Sequence, residues 1–130
     1  LYWVSTSLKM AGYVFLGGAL GSMLRYMLAE LIAINVEFPT SELIALTVIN
    51  LLGSYFLGLT ARLPYFQTLW CKWLWAYGFA GGFTTMSAVT LFVDINGLSW
   101  EIFAMLFAGV ATYGVGWHQG RRVQQKAEAK

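Results

Sequence analysis

Gly81-Gly82-Phe83-Thr84-Thr85-Met86-Ser87 interrupts the third of four hydrophobic stretches that fill almost all of this 130-residue chain. Inside a bilayer no water reaches freed backbone groups, and each unsatisfied one is costly. A Gly-Gly-x-Thr-Thr-x-Ser run at membrane depth must therefore be buried in protein or line a polar cavity. Loosened backbone at the midplane is also a way to build an ion site.

The rest of the chain supports membrane depth for this run. Hydrophobic residues make up 58% and charged residues 11%, against about 25% charged in a soluble domain. Mean hydropathy is +0.63. A helix needs about 20 mostly apolar residues to span a bilayer, and four segments qualify, at about 9–31, 42–61, 72–93 and 98–117. The expectation is an all-α membrane protein, a single four-helix transmembrane domain over residues 1–130, with its third helix broken near mid-membrane. Pro39 and Pro64 fall between spans, where helices stop. Asn96-Gly97 marks a tight turn between the third and fourth. Trp70, Trp73, Trp75, Trp100 and Trp117 lie near span ends, as an interfacial aromatic belt predicts. The first apolar segment is long, glycine-rich and contains Arg25, unlike a cleavable leader. Cys71 is alone and cannot form an internal disulfide. A net charge of +2 gives no footprint for nucleic acid.

Charge sets the orientation. Lys9, Arg62, Lys72, Arg121, Arg122, Lys126 and Lys130 fall on the side shared by the N-terminus, the middle loop and the C-terminus. The other side carries Glu37, Glu42, Asp94 and Glu101, with Glu30 near that end of the first span. Positive residues stay cytoplasmic. Both termini are therefore expected inside a plasma (inner) membrane, in one fixed orientation.

Three polar features lie within the spans. Arg25 is a basic residue at a depth where a charge costs at least ~2.5 kcal/mol. It either snorkels to the headgroups, pairing with Glu30 or a lipid phosphate, or forms an electropositive vestibule that draws in anions. Asn50, central to the second span, is either an interhelical hydrogen bond worth about 1 kcal/mol or a pore-facing NH2 donor. Such a donor suits a small, strongly hydrated anion, because it replaces water without a full charge that would trap the ion. Thr112, with Tyr113, extends such a track or bonds back to its own helix. Glycines are dense, and Gly17 and Gly21 form a Gly-x-x-x-Gly step that lets helices approach closely. Nothing resembles catalytic machinery: there is no metal-ligand cluster, Ser/His/Asp set or phosphate loop.

These residues resemble a known family. Gly17-Gly18-Ala19-Leu20-Gly21-Ser22-Met23-Leu24-Arg25-Tyr26 is similar to the GGxxGAxxRY opening of the CrcB/Fluc fluoride channels. Val48-Ile49-Asn50-Leu51-Leu52-Gly53-Ser54-Tyr55-Phe56-Leu57-Gly58 resembles their VNxxGSFxxG second helix. Gly78-Phe79-Ala80-Gly81-Gly82-Phe83-Thr84-Thr85-Met86-Ser87 resembles their GFxGGxTTFS break. The resemblance implies an antiparallel dimer of four-helix subunits that passively exports fluoride and relieves its toxicity. It implies a structural sodium ion (Na+) at the dimer centre, held by backbone carbonyls, here of Gly81 and Thr84. It places the anion pathway at Arg25, Asn50, Thr85, Met86, Ser87 and Val89, with Thr112 as its extension. Membrane lipid and fluoride are the implied partners.

One departure bears on function. The family pattern TTFSTF places two phenylalanines after the threonines, and their positive ring edges face fluoride. This chain has Met86 and Val89 there, and Ala88 at the second threonine-like position. A thioether or a valine offers no such edge, so a pathway lined only by this chain should conduct poorly. An antiparallel homodimer also needs a chain that inserts both ways, which the charge bias opposes. The two observations together predict a homologous partner subunit of opposite orientation that retains the phenylalanines. The competing readings are a small multidrug-type proton-coupled antiporter and a non-conducting structural subunit. The first needs a membrane-embedded carboxylate, and the first span has none before Glu30.

Cysteine-accessibility labelling at a site introduced near Lys126, in intact cells, checks the orientation. The expected result is protection from an impermeant reagent. Labelling of a large share of molecules from outside would mean dual topology and remove the charge argument for an unlike partner.

Overall fold

In a bilayer a backbone is satisfied within a helix or in a closed barrel, apolar runs of about 20 residues suit the helix, and every regular element among the described residues is helical. A computed structural model describes residues 1–38 and 40–130; Pro39, expected between the first two spans, lies outside them. The first helix is Tyr2–Asn35, longer at both ends than the expected 9–31. It stops where Val36 turns extended, at φ −132 and ψ 136. The second is Thr40–Arg62. A short 3₁₀ turn, Pro64–Gln67, has Pro64 where a helix tolerates it, in the first turn. The third helix comes in two arms. The inner arm consists of Leu69–Cys71, a π-helical stretch Lys72–Ala80, and Gly81–Phe83. The outer arm is Met86–Asn96. Gly97, with φ 82, makes the turn that Asn96-Gly97 foretold. The last helix is Trp100–Glu128. The basic tail expected beyond residue 117 is thus helical, and its Gln, Lys, Ala and Glu residues are strong helix formers.

Three of these lengths, Tyr2–Asn35, Thr40–Arg62 and Leu69–Asn96, are long and apolar enough to cross a membrane. The last helix falls short by that measure. Glu101 opens it and Arg121, Arg122, Lys126 and Glu128 close it, with glycines, Thr112 and Tyr113 diluting the apolar middle.

Glycine decides how the helices meet. The first helix crosses the inner arm with Gly17 and Gly21 against Gly78 and Gly82. A Cβ on Gly21 would overlap the Phe79 carbonyl and stand 2.8 Å from the Phe83 nitrogen. One on Gly78 would stand 2.7 Å from the Val14 carbonyl and 3.0 Å from the Gly17 Cα. The Gly-x-x-x-Gly step of the first helix therefore has a counterpart, Gly78 and Gly82, that spacing alone also makes visible. The most extensive pairing is between the second and last helices. There Gly58 lies against the Tyr113 carbonyl and Gly116 against the Tyr55 carbonyl, each too close for a side chain. Two apolar clusters fill the space left: Leu46, Val89, Ile102 and Met105, and Ala45, Ile49 and Phe83. Trp75, placed by sequence near a membrane interface, instead packs edge-to-face on Phe56, Phe66 and Phe79.

Gly21→Ala should therefore destabilise the protein by about 1–3 kcal/mol, the cost of overpacking. Gly12→Ala, whose Cβ meets nothing within 4 Å, should be neutral or stabilising by up to ~1 kcal/mol. Thermal unfolding in detergent compares the two; equal midpoints would contradict backbone contact at Gly21.

Candidate functional site at a broken helix

Thr84 and Thr85 leave the helical region altogether, at φ −78, ψ 157 and φ −149, ψ 111. The last helical bond of the inner arm runs from the Thr84 N–H to the Ala80 carbonyl at 3.0 Å. The Thr84 hydroxyl donates to the same carbonyl at 2.8 Å. In an unbroken helix the next N–H, that of Thr85, would go to the Gly81 carbonyl. It goes instead to Asn50 Oδ1, at 2.9 Å. The outer arm begins afresh: the Thr85 hydroxyl accepts from the Ala88 N–H at 3.1 Å as an N-cap, and lies 3.2 Å from the Ser87 hydroxyl.

The carbonyls of the break also find donors outside their own helix. Ser22 Oγ donates to the Gly82 carbonyl at 3.3 Å. Arg25 Nη1 approaches the Thr84 carbonyl at 3.5 Å. Ser22 and Arg25 are three residues apart and share one face of the first helix. That spacing was the signal by which Ser22 could have been found; the sequence reading passed over it.

Asn50 has a fixed orientation. Its two amide ends look alike in shape and are assigned by their partners. A backbone N–H can only donate, so the atom facing Thr85 must be the oxygen. The NH2 then faces the carbonyl of the same residue. Its one protein contact, to the Thr85 carbonyl, is 3.5 Å, beyond the range of a strong N–H···O bond. Asn50 therefore serves as interhelical glue through its oxygen and retains donor capacity on its nitrogen.

Asn50 borders a cavity of about 410 Å³, lined also by Ser54, Gly81, Thr84, Thr85, Met86 and Tyr113 among others. A second cavity, of about 550 Å³, is lined by Arg25, Glu42, Thr85 and Ser87 with apolar residues of the outer arm. Leu57, Ala76 and Tyr113 place the first toward the bundle end that holds both chain termini. Glu42 and Ile95 place the second toward the opposite end. Thr85 lines both. Thr85 and the break are thus the wall between a cavity toward one end of the bundle and a cavity toward the other.

The structure brings Arg25, Asn50, Gly81, Thr84, Thr85, Met86 and Ser87 to this wall. Met86 is 63% exposed, and Gly81 is exposed with nothing within 4 Å of a would-be Cβ. Two expected pathway residues lie elsewhere. Val89 is 4% exposed, packed with Leu46, Ile102 and Met105, because it falls on the face of the outer arm that turns to the core. Thr112 borders neither cavity and donates back to the Gly109 carbonyl at 3.0 Å; its neighbour Tyr113 lines the first cavity. Arg25 turns inward to the break. Among the described residues no group of three His, Cys, Asp or Glu side chains could hold a metal. An ion at this break would have to use carbonyl oxygens.

Three helices long and apolar enough to cross a membrane mark a multi-pass membrane protein. Residues 12–118 match the family described as CrcB-like protein, Camphor Resistance (CrcB), and the chain belongs to that family. It is similar to a fluoride-specific ion channel FluC of Thermus thermophilus, 41% identical over 74% of this chain and 70% of the relative. It is also similar to fluoride-specific ion channel FluC 1 of Carboxydothermus hydrogenoformans, 33% identical over 78% of this chain and 85% of the relative. A FluC of Leptospira interrogans, serovar copenhageni, is 38% identical over 72% of this chain and 67% of the relative. No solved structure gives a significant match. The family is one of channels, and the chain is not an enzyme.

Replacing Asn50 by Ala leaves the Thr85 N–H, in a half-buried position, without an acceptor. The expected cost is about 1–3 kcal/mol. Asn50→Asp retains an acceptor and should unfold closer to the parent than Asn50→Ala does. Thermal unfolding of the two variants checks this; the reverse order would mean that the Asn50–Thr85 bond does not hold the break.

Proposed function

We propose that the chain is a subunit of a passive fluoride channel that lets fluoride leave the cytoplasm and so relieves its toxicity. The observation that carries this reading is the Asn50 amide, which lines a cavity at a helix break with its oxygen fixed by the Thr85 N–H and its nitrogen engaged only at 3.5 Å. The names of the relatives supply the ion. A small anion sheds water only where donors replace it, and a neutral amide does so without trapping the ion. Arg25, in the second cavity, raises the local anion concentration. In this reading the pathway runs from Arg25 and Ser87 past Thr85 and Asn50 to Met86 and Tyr113, with Thr112 bonded back to its own helix behind Tyr113. Val89 acts from behind, packing the outer arm.

The last helix is the fourth span in this reading, supported by its long contact with the second helix. Both termini are cytoplasmic, in the plasma (inner) membrane, as the charge bias argues. The functional unit is an antiparallel dimer with a homologous CrcB/Fluc-type subunit of opposite topology. Two observations favour an unlike partner: the one-sided charge, and Met86 and Val89 where aromatic edges would serve an anion. A structural sodium ion at the dimer centre fits the donor set in part. The Gly81 carbonyl has lost its helical donor and its residue is open to a partner. The Thr84 carbonyl has two lone pairs, one of them toward Arg25. Such an ion would supply positive potential beside the anion path.

Fluoride efflux from proteoliposomes tests the reading, with this chain alone and together with an oppositely oriented homologue. Efflux should be strong only with both. Asn50→Asp should then reduce it more than about a hundredfold, since like charges 4 Å apart repel by about 4 kcal/mol; Asn50→Ser, which keeps a donor, should lose less. Near-normal efflux in both variants would remove Asn50 from the path, and no efflux in any combination would favour a non-conducting subunit.

A further inference from the structure

Charge is segregated by bundle end. Glu30, Glu37, Glu42, Asp94 and Glu101 lie toward the end where the first helix finishes. Arg62, Arg121 and the other basic residues outside the spans lie toward the end where it starts. The one carboxylate there, Glu128, accepts from Gln124 Nε2 at 3.2 Å. Within that basic end two guanidinium groups pack on one indole. Arg62 closes the second helix, and Arg121 lies one turn beyond Trp117 on the last. Gly120 brings the helices together: a Cβ there would stand 3.0 Å from Arg62 Cβ and 3.3 Å from the Leu59 carbonyl. The result is that Arg62 Cζ lies 4.5 Å and Arg121 Cζ 5.5 Å from the centre of the same Trp117 ring. The indole attracts each cation, but one ring leaves the mutual repulsion of the two uncompensated. Each guanidinium presents five N–H donors in a planar fork that matches phosphate oxygens.

We infer that Arg62, Trp117 and Arg121 form a binding site for the phosphate of an anionic phospholipid headgroup. The ligand class follows from two guanidinium forks held at one indole with no carboxylate bound to either among the described residues, and its source from the depth of the site. Arg62 ends a helix long and apolar enough to cross a membrane, so the cluster stands at the level of headgroup phosphates, where tryptophan is also favoured. The site lies apart from the helix break and does not depend on which ion the channel conducts. Its role is to anchor the contact between the second and last helices at the membrane surface.

Native mass spectrometry of the full chain, in the assembly it forms in the membrane, tests this with phosphatidylglycerol, phosphatidylcholine and inorganic phosphate as separate probes. Phosphatidylglycerol should remain bound where phosphatidylcholine is lost. Arg62→Lys and Arg121→Lys keep the charge, and with it the topology, but lose the fork. Each should weaken retention about tenfold, the loss of one charge-assisted contact. Arg122→Lys should leave retention unchanged. Equal retention of both lipids, or retention indifferent to Arg62→Lys and Arg121→Lys, would overturn the site. Phosphate adducts without lipid adducts would overturn the lipid assignment. Should a lysine variant fail to fold, competition for the parent protein between the two lipids decides the same question.

Discussion

A single peptide group, that between Thr84 and Thr85, is the point on which the structure turns. Its N–H belongs to neither arm of the third helix and would be unsatisfied in a medium without water. Asn50 accepts it from another helix, and the rest of the break follows. With that N–H committed, the Gly81 carbonyl is released, the Thr85 hydroxyl is free to cap a new helix, and the first helix supplies Ser22 and Arg25 to the remaining carbonyls. The break is thus held chiefly by Asn50 and Ser22, one on each of two helices, with Arg25 close by, rather than by the segment itself.

This arrangement requires those two helices to come close, which is what glycine makes possible. Gly17, Gly21, Gly78 and Gly82 let backbone touch backbone, so that short side chains such as Ser22 reach the break. Gly53 performs the same service on the second helix: a Cβ there would run into the Thr84 methyl. The dense glycines and the polar break are therefore one design. Without close approach, Asn50 and Ser22 would fall short of the groups they satisfy.

Much of this was legible in the sequence, and the limits have physical causes. The all-helical character, the interruption and the Asn96-Gly97 turn follow from apolar length and from the cost of polar groups in apolar surroundings, and the same cost drew attention to Asn50 and Arg25, which both meet the break. Helix ends were less legible, because Tyr2–Leu8 and Val123–Glu128 continue helices beyond the apolar run, and propensity rather than hydropathy governs there. The side chains of the outer arm were least legible. A restarted helix resets its phase, so spacing from the inner arm does not tell that Val89 turns inward while Met86 turns out. Thr112 was open to either reading, and only its distance to the Gly109 carbonyl decides for the back-bond.

The Asn50 amide takes its direction from a main-chain donor, not from a side chain. Every amino acid except proline carries that donor. The direction of the amide dipole in the wall between the two cavities is therefore insulated from side-chain drift at position 85. A substitution at position 85 that removed the hydroxyl would uncap the outer arm but leave this donor in place.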